Sequence, residues 1–175
     1  MNSKILQWTL VFVSLPLIFA SVRPIQADPL QTPVNDPIES HLEIPSISLD
    51  ITVVVAPFVG NTWDFSNLND VAGYFEGLPI PGEGSNSVIG AHSELDNHIP
   101  GPFYYLNQVK VNDQVIVLQN QVKYTYIVTK IWHVRPTDVS PILPSKTDTL
   151  TLFTCAGYDQ GVYTTRLVVR AKRIP

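Results

Sequence analysis

Residues Thr149–Ala171 read TLTLFTCAGYDQGVYTTRLVVRA, and this stretch decides the fold. Leu150 and Leu152 fall on one face of an extended segment, with Thr151, Phe153 and Cys155 on the other. In the second half Leu167, Val169 and Ala171 make one face and Arg166, Val168 and Arg170 the other. The connection between Cys155 and Thr164 is short, which favours antiparallel neighbours. With the leucines turned to a core, Cys155 and Arg166 both point away from it, on one side of one sheet.

Further short apolar runs lie outward from this pair. Leu42–Pro45 and Ile47–Ile51 alternate apolar and polar residues, and 52–56 continues in β-branched ones. Ser87–Ala91, Gln114–Leu118 and Tyr124–Trp132 add three more strand-like runs. Turn-forming clusters separate them, among them PIPGEG at 79–84 and VND at 111–113, where Asn112 suits a left-handed position. Only FYYLNQVKV at 103–111 hints at a helical turn. Seven or eight short strands with irregular connections predict an all-β fold, a closed barrel or a sandwich.

Composition agrees. Of 175 residues, 45% are apolar and 15% charged, too apolar for a disordered chain. Fifteen prolines and nine glycines argue against a helical bundle. A net charge of −4 without a long basic run argues against nucleic acid as a partner. One cysteine excludes an intramolecular disulfide framework and a Cys-rich zinc site. The carboxylates are scattered; the close pair Glu94 and Asp96 reads as a solvated loop, and no metal or other cofactor is implied.

Residues 5–22 form an uncharged stretch between Lys4 and Arg23, at the lower limit of a membrane span. Residues 1–27 are therefore read as an N-terminal membrane anchor or as a signal peptide cleaved after Ala27 or Ala20. Either sends the chain across a membrane. Residues 28–40, with prolines at 29, 33 and 37, read as a semi-extended spacer, and residues 41–175 as the domain.

The chemistry centres on Cys155. A lone cysteine is often buried and inert, but an outward-facing one in an exported protein is a liability unless it is used. Among four histidines, His92 ends the run VIGAH with outward parity, and Gly90 beside it permits close approach of a ligand or loop. His41, His98 and His133 read as structural or solvated. A thiol needs a partner for its thiolate, an imidazole can be that partner and then protonate a leaving amine, and an arginine supplies donors for an oxyanion. Cys155, His92 and Arg166 together suggest a thiol acyltransferase or peptidase on the outer wall of the fold. Papain-like signatures are absent.

From about His41 to the end, these residues resemble the sortases. TLFTC at Thr151–Cys155 matches the family's TLxTC strand; RLVV begins eleven residues on, at Arg166; and SVIGAHSE places His92 sixty-three residues before the cysteine. FYYLN at 103–107 leading to VNDQV at 111–115 is similar to the family's F-x-x-L … K-x-G-D segment, with Asn112 where Gly is common. VRPTD at 134–138 resembles the start of the loop between the sixth and seventh strands.

The resemblance implies an eight-stranded β-barrel with short helical turns in its connections, and a cysteine transpeptidase. Cys155 would cleave an LPxTG-like sorting signal after its threonine and hold the acyl group as a thioester. His92 would act as general acid and base, and Arg166 would hold substrate and stabilise the oxyanion. Residues 132–148 would form part of the substrate groove. Thr154, Ala91, Pro136, Val139 and Ile142 are the expected substrate-binding residues. The implied working state is a minor thiolate–imidazolium population at neutral pH. The implied partners are the sorting signals of surface proteins, a cell-wall precursor or pilin amine as acceptor, and the bacterial membrane, on its extracytoplasmic face. The 132–148 segment resembles the shorter loops of housekeeping-like or class D, E and F sortases, and no Asp-Pro-Trp lid motif precedes the domain. An envelope peptidase that only hydrolyses, and a catalytically silent peptide-binding barrel, stand as alternatives.

Overall fold

A computed structural model describes residues 40–175; the expected leader at 1–27 and nearly all of the spacer lie outside the described residues. Ten strands follow in chain order: β1 (Ser40–Ile44), β2 (Leu49–Ala56), β3 (Phe58–Val59), β4 (Thr62–Trp63), β5 (Ala72–Phe75), β6 (Asn86–Gly90), β7 (Gln114–Gln119), β8 (Val122–Val134), β9 (Thr149–Asp159) and β10 (Val162–Arg173). Eight of them close into a barrel in the order β1-β2-β5-β6-β9-β10-β8-β7, with β7 pairing back onto β1. β3 and β4 form a separate two-stranded hairpin. Closure removes the exposed edges that an open sheet would leave. It also resolves barrel against sandwich. Ser40 is buried and pairs with both Val53 and Gln119.

Hairpins form where the chain carries left-handed turn residues. Asn120 and Gln121 join β7 to β8, and Gln160 and Gly161 join β9 to β10, all with positive φ. Asn112 takes the expected left-handed conformation at φ 78°. Single 3-10 turns occur at Pro45–Ile47, Asp96–His98, Leu106–Gln108 and Ser140–Ile142, the third within the expected helical segment. Pro45 opens the turn that folds the 42–56 run into two antiparallel strands.

The barrel interior holds Leu42, Ile44, Val53, Ile89, Leu106, Val115, Val117, Tyr126, Leu150, Leu152, Leu167 and Val169. Both leucines of β9, and Leu167, Val169 and Ala171 of β10, face inward as their parity requires. The outward set is not all exposed. Thr151 and Val168 are as buried as the core residues, so something covers this face.

β5 went unread in the sequence. Its four residues, AGYF, are buried without exception, so no alternation marks them. It pairs parallel to β2 and antiparallel to β6. Gly73 is required there: a Cβ would meet Ala56 Cβ at 2.7 Å and Leu68 Cδ1 at 2.8 Å.

Candidate functional site

Three adjacent strands build the site. β6 and β9 run parallel, with Asn86 opposite Thr149 and Gly90 opposite Phe153. That register is a constant offset of sixty-three residues, the spacing already seen between His92 and Cys155. The ladder continues past the end of β6, where Ala91 N–H donates to Phe153 O at 3.3 Å. Two residues beyond Gly90, His92 therefore comes level with Cys155. On the other side of β9, β10 runs antiparallel and sets Arg166 directly opposite Cys155. Neighbouring strands lie about 5 Å apart. The imidazole, thiol and guanidinium thus stand in one row across three strands.

All three line a groove of about 350 Å³ on the outer face of the barrel. Thr154, Ala91, Pro136, Val139 and Ile142, the other residues singled out in the sequence, line the same groove. Thr154 is buried, and its hydroxyl donates to Ala91 O at 2.8 Å, tying β9 to the residue before His92. Val139 is exposed, at 61%.

Cys155 is half-buried rather than freely exposed. Burial pushes its thiol up from the ordinary value, and the nearby positive charge of Arg166 partly opposes this. The sulfur is therefore mainly protonated at neutral pH. Arg166 is half-buried and anchored by one donor, Nη1–H to Thr165 O at 3.1 Å. Its remaining donors are free of protein partners among the described residues.

Among the described residues no acid orients His92; a backbone carbonyl does so instead. His92 Nε2 lies 2.9 Å from Phe65 O. A carbonyl only accepts, so this nitrogen carries the proton and Nδ1 holds the lone pair in the neutral ring. The Phe65 ring stands edge-on to the imidazole at 6.5 Å. Gly90 makes this approach possible, since a Cβ there would meet Phe65 Cζ and Phe75 Cε1 at 2.8 Å. Behind the histidine, Phe103 N–H donates to His92 O at 2.9 Å and Gly101 N–H to Ser93 O at 2.9 Å. A Cβ on Gly101 would meet His92 O at 2.6 Å.

The groove has two walls, set by the β3–β4 hairpin with the loop after it and by the loop after β8. One follows β2 and includes Trp63 and Phe65, with Phe75 beside them. Trp63 packs on Phe75 at 4.6 Å, and its indole N–H donates to Glu76 O at 3.0 Å. The other is residues 135–145, which cover Thr151. Asn86, wholly buried, donates from Nδ2 to Pro141 O at 2.9 Å and Leu143 O at 3.0 Å. Thr151 Oγ1 donates to Asn86 Oδ1 at 2.7 Å, and Arg170 adds bonds to Pro141 O and Thr151 Oγ1. Arg170 also lies over the Trp132 ring at 5.4 Å. This polar network clamps Ile142 and Val139 over the groove.

Trp63, Phe65, Phe75, Phe153 and Asp138 line the groove but were not singled out by sequence. Aromatic residues set in the polar run 57–69 were the available signal. Of the other histidines, His41 lies 3.8 Å from Asp50 and His98 3.1 Å from Glu94, both at the surface. Glu94 is held by Tyr163 and His98, and among the described residues no cluster of His, Cys, Asp and Glu is arranged to bind a metal.

The sortase domain family model matches residues 42–174. The chain belongs to the sortase family, whose members are cysteine transpeptidases. Solved sortases share the fold. The lid mutant of sortase A from Corynebacterium diphtheriae is 30% identical with a TM-score of 0.66, over 79% of this chain and 71% of that one. Sortase C2 of Group B Streptococcus pilus island 1 is 31% identical with a TM-score of 0.64, over 78% and 73%. Sortase C-1 from Actinomyces oris is 28% identical with a TM-score of 0.67, over 81% and 76%. No curated protein matches the chain by sequence. In this sortase the groove described above is the site where transpeptidase chemistry is to be sought.

Proposed function

We propose that this sortase cleaves an LPxTG-like sorting signal after its threonine and transfers the acyl group to an amine of the cell envelope. The observation that carries the reading is the row of His92, Cys155 and Arg166 across β6, β9 and β10. Cys155 attacks the scissile carbonyl as thiolate, drawn from a minor ionised population because burial holds the thiol up. Arg166, with its unused donors, stabilises the oxygen that gains charge. The C–N bond breaks as His92 passes a proton to the leaving amine, and the acyl group remains on sulfur. The incoming amine then reverses the sequence, with His92 as base.

The peptide lies against Val139, Ile142 and Pro136 on one side and Trp63 and Phe65 on the other. Thr154 and Ala91 fix the floor. The leader at 1–27 serves as a membrane anchor or export signal, and the spacer holds the domain at the extracytoplasmic face of the bacterial membrane.

The test is to incubate the full chain with an LPxTG-type peptide, with and without triglycine, and to weigh the products. A cleaved acyl fragment joined to triglycine is expected. Hydrolysis alone at every triglycine concentration would make the protein a peptidase. No cleavage, with Cys155 inert to alkylation, would make it a silent peptide-binding barrel.

A further inference from the structure

Cys155 stands between two grooves. The first holds Arg166 and His92; a second, also of about 350 Å³, meets it at the sulfur. Cys155 and Thr154 line both. The second is bounded by Glu94, Tyr104, Tyr105, His133 and Tyr163. We propose that this second groove seats the amine acceptor, an ammonium-bearing peptide end or side chain, with Glu94 as the carboxylate that draws it in. The inference rests on the transpeptidase reading above and names where its second substrate binds.

The chemistry requires two seats. In the thioester the acyl peptide still fills the first groove, so an incoming amine has to reach the carbonyl carbon from elsewhere. The departing and the entering amine pass through the same position, by microscopic reversibility. The second groove, which shares Cys155 with the first, gives the acceptor that access.

The lining fits a cation. Among the described residues Glu94 is the only carboxylate lining it, and no lysine or arginine does so. Hydrogen bonds from Tyr163 first, and His98 second, hold the Glu94 carboxyl below its ordinary value, so it is ionised at neutral pH. Tyr163 Oη–H donates to Glu94 Oε2 at 2.7 Å, and His98 Nδ1 lies 3.1 Å from the same oxygen. Oε1 accepts nothing from the described residues. Tyr104 and Tyr105, edge-on at 5.0 Å and both exposed, add aromatic faces at the rim.

Atoms balance as follows. The ammonium releases one proton to solvent, and the freed lone pair attacks the thioester carbon. The C–N bond forms and the C–S bond breaks with its electron pair on sulfur. The amine's second proton passes through His92 to that sulfur.

The full chain is loaded with an LPxTG-type peptide and offered triglycine and hydroxylamine together. Triglycine presents an ammonium, whereas hydroxylamine is uncharged at pH 7.5. In Glu94→Gln the ratio of triglycine product to hydroxamate is expected to fall about tenfold, the scale of one charged hydrogen bond. Glu94→Lys lowers it further. An unchanged ratio in both variants overturns the proposal while leaving the transpeptidase reading intact. Failure of the unsubstituted chain to form either product overturns both.

Discussion

The floor of the site and its walls are built in different ways. The floor is built on strands: Cys155 and Arg166 lie in β9 and β10, His92 follows β6 by two residues, and the registers of these strands are locked by inward-facing core residues. Sliding one of these strands by a residue would turn a whole apolar set to solvent, so the row is as secure as the barrel. The walls are hairpin and loop: residues 135–145 are held by Asn86 and Arg170, and Phe65 reaches His92 through its backbone oxygen. The floor supplies reacting groups that tolerate no displacement. The walls supply shape, secured by a few polar bonds, and are the part that can vary while the chemistry stays.

Substitution in the floor should therefore act on rate, and substitution in the walls on binding. The largest effect is expected for Cys155→Ala, which should reduce peptide cleavage by roughly 10⁴-fold or more while thermal unfolding is little changed. Arg166→Lys keeps the charge and loses the planar fork; kcat is expected to fall roughly 10²-fold with KM nearly constant. A KM effect alone would move Arg166 from floor to wall.

Asn86→Ala removes the donor to two wall carbonyls. KM for the sorting peptide should rise several-fold, and unfolding should cost about 1–3 kcal/mol less. Equal loss of kcat would show that the wall also sets the chemistry. The smallest effect is one of titration. Burial raises the Cys155 thiol, so alkylation by iodoacetamide should be slower at pH 7 than for a free cysteine and increase through a midpoint above that of a free cysteine. Because Arg166 lowers that value, Arg166→Met should move the midpoint further up. A downward move would reverse the assigned electrostatics.

The same division explains what could be read from sequence. Strand parity placed Leu150, Leu152, Leu167 and Val169 inside, and Cys155 and Arg166 outside on the same side; the β9–β10 register sets those two opposite each other. The sixty-three residues from His92 to Cys155 were legible as a spacing, and the parallel β6–β9 register gives that spacing its cause. The rest was less legible. β5 has no alternation to detect. The partner of His92 is a main-chain carbonyl, which leaves no mark in residue type. Asn86 and Thr151 lie sixty-five residues apart and meet only because β6 pairs with β9. Outward parity also failed to imply exposure, since the 135–145 loop buries Thr151.

The central claim is that Cys155 carries the acyl group between two substrates. Intact-mass measurement of the full chain, quenched in acid after brief mixing with an LPxTG-type peptide, tests it most directly. The expected result is an added mass equal to the peptide's acyl half, mapped to Cys155, removed by hydroxylamine and absent from Cys155→Ala. Cleavage of the peptide with no adduct on Cys155, or cleavage that survives in Cys155→Ala, would contradict it.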